Sequence, residues 1–436
     1  MKYFLAIDLG ASSGKHVVGY LDNGEVKLDE VYRFKTQMDE TIDGLVWDIP
    51  RLLKEIKEGI KVALSKYKKI ESLSIDTWGV DYVLMNGDKE IPPFYAYRNQ
   101  RNIVYANKLH EIIPFEKLYQ ETGIQYAPFN TIYQLYGDYC SGRLNNATDY
   151  LMIPSYFIYK LTGVKTHEYT NESTGALLDP NNHNYNEKII NTLGLPKKLF
   201  GSINYPGYYV GELLPSIQEE VGGNIKVMLC ATHDTASAFE SVNIEDDSII
   251  ISSGTWSLLG IKAKEPIISE KSKNANYTNE GGVGYVRFLK NIMGMYLGGR
   301  LKTEVGLDYS YIDNVIDTVK YHETFDVFDE SLLAPVSMKD AILKLLKNKP
   351  KDDLEIFASI FHSLALSYDK SIKELETITN KKYKKIYVIG GGAKNIYLNK
   401  LIEKYTKKEV IPLIMEATSK GNILVQMKAS KLWEMK

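Results

Sequence analysis

Apolar and polar positions along this chain change period several times, and each change predicts an element. YFLAIDL, HVVGYL and EVKLDEVYRF are short apolar or alternating runs separated by a glycine-bearing turn and by Asp-Asn-Gly, which predicts a meander of antiparallel strands. From Arg51 the period lengthens: Leu52, Leu53, Ile56, Ile60, Ala63 and Leu64 recur at three- and four-residue steps among lysines, which predicts an amphipathic helix. ESLSIDTWGVDYVLM predicts another strand, broken at Gly79. Residues 98–200 read as mostly helical, punctuated by Pro114, Pro128, Pro154 and Gly163, an insertion bearing specificity rather than part of a central sheet. NIKVMLC resumes the sheet, and ATHDTASAFESV starts as a helix.

At residue 248 the opening is replayed. SIIISSGTWSLLGIK is again an apolar strand, a Ser-Gly turn with hydroxyls and a second apolar strand. A long amphipathic helix follows, with Phe357, Ile360, Phe361, Leu364, Tyr368, Ile372 and Leu375 on one face, then the strand KKIYVIGGGAKN and the helix NIYLNKLIEKY. The expected fold class is therefore α/β, with two domains of similar plan, 1–242 and 243–436, and a ligand cleft between them.

Length and composition agree with this and narrow the partner. A chain of 436 residues suits two domains. A net charge of −2 gives no electrostatic case for nucleic acid or an anionic membrane, which leaves a small molecule. The two cysteines, Cys140 and Cys230, offer no disulfide framework and suit a reducing cytoplasm; no leader or membrane-length apolar run is present. Seven scattered histidines without HExxH spacing, and no CxxC, give no reason to expect a dedicated metal site.

Four stretches carry candidate chemistry. GASSGK imitates a P-loop, but three residues rather than four separate Gly10 from Gly14, His16 follows Lys15, and a strand-like run comes next. It reads as a hairpin tip, either ordinary or one whose Ser12, Ser13, Gly14 and Lys15 meet a phosphate, with Asp8 near a metal-bound water. Gly254 and Thr255 on the second hairpin would meet another phosphate, with binding coupled to cleft closure. In VIGGGAKN, Gly391 and Gly392 either form a plain strand-to-helix turn or admit an adenine and ribose where a Cβ would clash. In ATHDTASA, Asp234 is either a helix N-cap or a general base with small neighbours that leave room for a substrate hydroxyl. Within TWGVD, Trp78 is a core aromatic or a site residue, and Gly79 marks a bulge where backbone could touch a ligand.

Taken together, IDLGASSGK, IDTWGVDYVL, YRNQR, PFNTIYQL, EYTNEST, THDTASA, SSGTWSLLG, TNEGG, LKNIMG, VIGGGAKN and MEATSKGN resemble the motifs of the FGGY carbohydrate kinases, in family order across nearly the whole chain. The resemblance is to the branch that acts on L-rhamnulose. It implies two actin-like ATPase (ribonuclease H-like) domains, the first binding sugar and the second nucleotide. ATP is expected at Asp8, Ala11, Ser12, Ser13, Gly14, Lys15, Thr255, Gly391 and Gly392. Sugar is expected at Gly79, His233, Asp234, Thr235 and Asn291, with Asp234 as the base. Mg²⁺ would be held mainly by the nucleotide phosphates and by water near Asp8. The implied reaction moves the γ-phosphoryl of ATP to C1 of a ketose, L-rhamnulose first and L-fuculose, L-xylulose or D-xylulose as alternatives. The rivals from other classes are a non-catalytic actin-like ATPase and a sugar sensor. Three positions depart from the family pattern: Asn99 and Ser155 stand where carboxylates are usual, and Gly299 where a nucleotide-holding Gln is common.

Overall fold

The computed structural model describes residues 1–244, 247–333, 335–414 and 416–431; Met415 of MEATSKGN and the last five residues of the second expected domain lie outside them. Contacts divide the chain into two compact units. One comprises Met1–Val242, Lys262–Arg287 and the chain from Glu416 onward; the other comprises Asn243–Ile261 and the segment from Phe288 up to Glu416.

The first unit is built on a six-stranded sheet. Its strands, from one edge to the other, are Tyr209–Glu212, Lys226–Met228, Ser72–Thr77, Tyr3–Leu9, Ser13–Asp22 and Glu25–Lys35. Tyr3–Leu9 runs antiparallel to Ser13–Asp22 and parallel to Ser72–Thr77, which in turn runs parallel to Lys226–Met228. The fully apolar YFLAI stretch is explained by helices on both faces. Ile49–Tyr67 lays Leu52, Ile56, Ile60 and Ala63 into a core with Leu5, Ile7, Leu73 and Ile75, while Ala417–Ala429 brings Ile423 and Met427 against Phe4 and Ala6. Gln426 fastens this last helix, donating to Leu5 O (3.0 Å) and accepting from Ser72 Oγ (2.6 Å). The chain thus returns to its first unit at its C-terminal helix.

The expected strand 71–85 is two strands in two sheets. Ser72–Thr77 stays in the main sheet, and Tyr82–Asn86 pairs with Lys89–Glu90 and with Asp149–Met152 of the helical insertion in a separate three-stranded sheet. The hand-over occupies Trp78–Asp81, and the residue with left-handed backbone is Val80 (φ +69°), not Gly79. A β-branched residue there is strained by roughly 1–3 kcal/mol, so the surroundings must hold it. They do: Val80 N donates to Thr174 Oγ1 (3.2 Å), and its carbonyl accepts from Thr131 Oγ1 (2.8 Å) and Gln134 Nε2 (3.2 Å).

The second unit repeats the plan. Ser248–Ser253 and Trp256–Ala263 form the antiparallel hairpin, Val286–Met293 lies beside its outer strand, and Lys385–Ile389 and Glu409–Pro412 follow in parallel on the other side. The long helix Asp353–Thr379 starts at Asp352, whose side chain accepts from Glu355 N, and buries Phe357, Ile360, Phe361, Leu364 and Tyr368.

Candidate functional site

The first hairpin has a turn at Gly10–Ser12, closed by Gly10 N to Ser13 O (2.9 Å) and braced from outside by Thr36, whose hydroxyl donates to Gly10 O (2.5 Å). Gly14 is required by packing. A Cβ there would lie 2.3 Å from the ring of Phe34, its neighbour on the next strand. Asp8 and Lys15 pair across the hairpin, with Nζ 3.2 Å from Oδ2, and Lys15 also bridges to Glu416. The expected phosphate cation is therefore held by two carboxylates of its own unit. Ser12 is exposed, while Ala11 and Ser13 are half-buried.

Parallel register sets Asp76 beside Asp8. Asp76 is fully buried; its Oδ2 accepts from Asn422 Nδ2 (2.6 Å) and its Oδ1 has no hydrogen-bond partner. Burial pushes the Asp76 carboxyl well above its ordinary range, and the charges of Asp8 and Asp234 add to this. Burial also raises Asp8, against the opposing pull of Lys15.

Asp234 is the first residue of the helix Asp234–Glu240, one position past the cap, which is His233. Its Oδ1 accepts from the adjacent Thr235 N (2.5 Å) and Thr235 Oγ1 (3.1 Å), not from an N–H two or three residues on, so it is not an N-cap. Burial, and then repulsion by Asp8, raise its carboxyl to about 7. With 30% of the side chain still accessible, it remains open to a ligand.

Beside it, His233 N donates to Thr170 Oγ1 (3.2 Å), Nδ1 lies 3.0 Å from Arg287 Nη2, and Nε2 lies 3.4 Å from Asp234 Oδ1. Burial and the Arg287 charge hold the imidazole neutral, well below its usual range. Thr232, just upstream, is clamped through N (3.1 Å) and Oγ1 (2.6 Å) by the buried Glu168 carboxylate. Gly79 closes this group: a Cβ would meet Thr174 Oγ1 at 3.0 Å and His233 Nε2 at 3.4 Å.

Asp81 anchors the segment behind Gly79. It accepts from Trp47 Nε1 (2.7 Å), Trp78 Nε1 (3.0 Å), Tyr97 N (3.1 Å) and Gln134 Nε2 (3.0 Å). Burial nonetheless raises it to about 6. Trp78 stacks on Trp47 (4.1 Å) and is buried, the core alternative of the two. Asn99 donates to Asp43 O (2.9 Å) and Leu45 O (3.0 Å) and accepts from Arg101 N (3.1 Å). Two donations to carbonyls are what a carboxylate cannot make, which explains an amide here. Nothing in the structure explains the serine at 155.

The second unit gathers the remaining candidates. Gly254 and Thr255 form its hairpin turn, and Met295 N and Tyr296 N donate to Gly254 O (2.9 Å) and Thr255 O (3.3 Å). Gly390 has φ +81°, and a Cβ on Gly392 would fall 2.0 Å from Ser253 Oγ, so this turn lies tight against the hairpin. Gly391 faces open space, with no atom within 4 Å of a Cβ. Asn291 lies on Val286–Met293, its Oδ1 buried and without a hydrogen-bond partner. A Cβ at Gly299 would meet nothing. Among the described residues no group of three His, Cys, Asp or Glu side chains could hold a metal by itself, and no helix is long and apolar enough to cross a membrane.

Sequence reasoning passed over Asp76, Glu416, Asn422, Glu280 and Arg287. Asp76 had a local signal, since AIDL and SIDT end two strands with the same Ile-Asp pair, and Glu280, Glu416 and Asn422 lie within the quoted motifs TNEGG and MEATSKGN; Arg287 lies in none of them.

Comparison with known proteins identifies the family. Residues 3–239 match the N-terminal domain of the FGGY family of carbohydrate kinases, and residues 249–430 its C-terminal domain. The chain is 40% identical to a rhamnulokinase of Oceanobacillus iheyensis over 98% of its length and 93% of that protein's. It is 39% identical to a rhamnulokinase of Halalkalibacterium halodurans over 98% and 94%. The fold is shared with a ligand-bound xylulose kinase of Lactobacillus acidophilus (TM-score 0.85, 16% identity, 100% of this chain and 91% of that one). It is also shared with Plasmodium falciparum glycerol kinase bound to ADP (0.81, 14%, 100% and 91%). With both domain models matched in order over nearly all of its length, the chain belongs to the FGGY family of carbohydrate kinases.

Proposed function

We propose that this kinase transfers the γ-phosphoryl group of ATP to the C1 hydroxyl of L-rhamnulose, giving L-rhamnulose 1-phosphate, as a step of L-rhamnose catabolism in the cytoplasm. The observation that carries the reading is Asp234: a carboxylate raised to about 7, still accessible, next to a neutral histidine. A base with a pKa near the working pH combines a useful ionised fraction with strength to take the hydroxyl proton as the oxygen attacks. The choice of sugar is supported by relatives of 33–40% identity over nearly the full chain that bear the name rhamnulokinase.

In this reading residues 1–242 carry the sugar contacts, Gly79, His233, Thr235 and Asp234, and the first phosphate hairpin, Ala11–Lys15. Residues 243–436 carry Thr255, Gly391 and Gly392 for the nucleotide and Asn291 for the sugar. Lys15, tied to Asp8 and Glu416, would turn part of its charge to a phosphate when ATP arrives. The buried carboxylates Asp8 and Asp76 fit a site that meets a metal cation, since each would be relieved by its positive charge. Mg²⁺ on the triphosphate would offset charge on the transferred group, and Asp8 is the residue we assign to its water shell.

The test is a panel of ketoses scored for sugar-dependent ADP release and for the position of the phosphate. L-rhamnulose should be the best acceptor. Preference for L-fuculose, L-xylulose or D-xylulose would move the assignment to another ketose, and ADP release indifferent to every sugar would overturn it.

A further inference from the structure

We propose that Arg287 is a positioning residue of the sugar site, which fixes His233 as the neutral Nε2–H tautomer and so makes it a hydrogen-bond donor to the sugar hydroxyl beside Asp234. The inference rests on the sugar-site reading above and adds a residue and a proton to it.

The assignment follows from donor and acceptor inventory. Arg287 is fully buried, and its Nη2 lies 3.0 Å from His233 Nδ1. A guanidinium only donates, so Nδ1 must accept, and a neutral imidazole that accepts at Nδ1 carries its proton on Nε2. The other candidate partner of Nδ1 is Glu280, whose Oε2 stands 3.5 Å away, beyond good hydrogen-bond length, and only 3.0 Å from Arg287 Nη2. Glu280 therefore faces the guanidinium as a counter-charge, its Oε2 making no hydrogen bond, and the hydrogen bond at Nδ1 is the one from the guanidinium. A doubly protonated ring would set two cationic N–H groups against each other at 3.0 Å in a buried site.

Arg287 is held in place to do this. Its Nε donates to Gly281 O (2.7 Å), while Gly281 N donates to Ser173 Oγ (2.7 Å), and a Cβ on Gly281 would come 2.5 Å from the Tyr169 ring. The strand carrying Glu280 and Gly281 is thus tight against the helical turn that also holds His233 through Thr170. Such support from packed backbone gives a donor fixed direction.

On the opposite side of the ring, Nε2 lies 3.4 Å from Asp234 Oδ1 and 3.4 Å from where a Gly79 Cβ would be. A sugar hydroxyl that accepts from His233 and donates to Asp234 satisfies both, and the same arrangement bars His233 from acting as the base. A site with a committed donor rejects an acceptor sugar that lacks the matching oxygen far more strongly than an apolar pocket rejects a missing methylene.

The test is nitrogen NMR of the histidine-labelled full chain without ligand at neutral pH, with the His233 signal assigned by its loss in His233→Gln. A protonated Nε2 and a bare Nδ1 are expected. The companion variant is Arg287→Met combined with Glu280→Gln, which removes the charge pair together and strands neither member. It should lose the single tautomer and raise the sugar KM roughly tenfold with the ATP KM unchanged. A proton on Nδ1, an imidazolium, or a folded double variant with the wild-type sugar KM would overturn the proposal. If the double variant does not fold, the wild-type spectrum decides. Because that spectrum is read without any sugar, failure of every ketose as a substrate would sink the assigned function and leave this result standing.

Discussion

Asp8 and Asp76 occupy paired positions in the parallel register of Tyr3–Leu9 and Ser72–Thr77, so two buried carboxylates meet at one level of the sheet. Both are pushed upward by burial, Asp76 well above its ordinary value of 3.8. A carboxyl whose pKa is higher folded than unfolded gives stability that is present below the unfolded value and lost as pH rises through the folded one. Asp76→Asn removes that loss. Its Tm should exceed wild type by a few degrees at pH 8, and the difference should shrink toward pH 4. Differential scanning calorimetry at the two pH values checks this; a variant less stable at pH 8 than at pH 4, relative to wild type, contradicts it.

The chemistry should titrate with Asp234. As the proposed base it must be ionised, and its carboxyl is raised to about 7, so kcat/KM should rise with pH through about 7 and level off above. Asp8 is the second cause of that elevation, so Asp8→Asn should move the midpoint to lower pH whatever it does to the plateau. Asp234→Asn should lower kcat about 10²- to 10⁴-fold with ATP binding retained. A loss of only a few-fold would remove Asp234 from the reaction.

Gly391 and Gly392 separate two readings of one turn. Gly392→Ala drives a methyl to within 2.0 Å of Ser253 Oγ and should destabilise the protein; Gly391→Ala meets nothing within 4 Å and should melt as wild type does. If the adenine lies against this turn, Gly391→Ala will nevertheless raise the KM for ATP. An unchanged KM would make the turn a plain strand-to-helix connection.

Much of this was legible because it is periodic. The two hairpins, the helix Ile49–Tyr67 and the helix Asp353–Thr379 announce themselves through local spacing of apolar residues. What the sequence concealed depends on contacts distant in the chain. Gly14 looks like a phosphate glycine, yet the ring of Phe34 is what forbids a Cβ there. Lys15 looks free for a ligand until Glu416 returns, 401 residues later, to share it. Gly79 draws the eye as the flexible residue, while the strained backbone belongs to Val80, held by Thr131, Gln134 and Thr174 from other elements. Arg287 has no motif of its own and gains meaning only from the imidazole it touches.

Asn99 shows a departure from family pattern that the structure explains. Asn99→Asp would replace an amide that donates to two backbone carbonyls by a carboxylate facing both. Leu45 O keeps its bond from Ala96 N, but setting both carbonyls against a charge in place of a donor should cost about 1–3 kcal/mol, read as a lower midpoint in urea at an unchanged slope. Equal or greater stability in the Asp variant would mean that another donor replaces the amide.

The last prediction concerns which sugars are accepted. In the proposed reading, recognition on the sugar side rests on directional groups, the His233 Nε2–H, the Asp234 carboxylate and the Gly79 backbone, beside one another in the structure. A hydroxyl of the wrong configuration leaves one of these buried groups unpaired, which costs far more than the loss of an apolar contact. The terminal methyl of a 6-deoxy ketose contributes only about 1 kcal/mol by burial, less than a factor of ten. L-rhamnulose should therefore be only a few-fold better than its 6-hydroxy counterpart L-fructose, while epimers such as L-fuculose should be slower by orders of magnitude in kcat/KM. Chromatography and NMR of the products should find phosphate at C1. A product phosphorylated elsewhere, an aldose preferred to every ketose, or an epimer equal to L-rhamnulose would show that the hydroxyls are read by other groups than these.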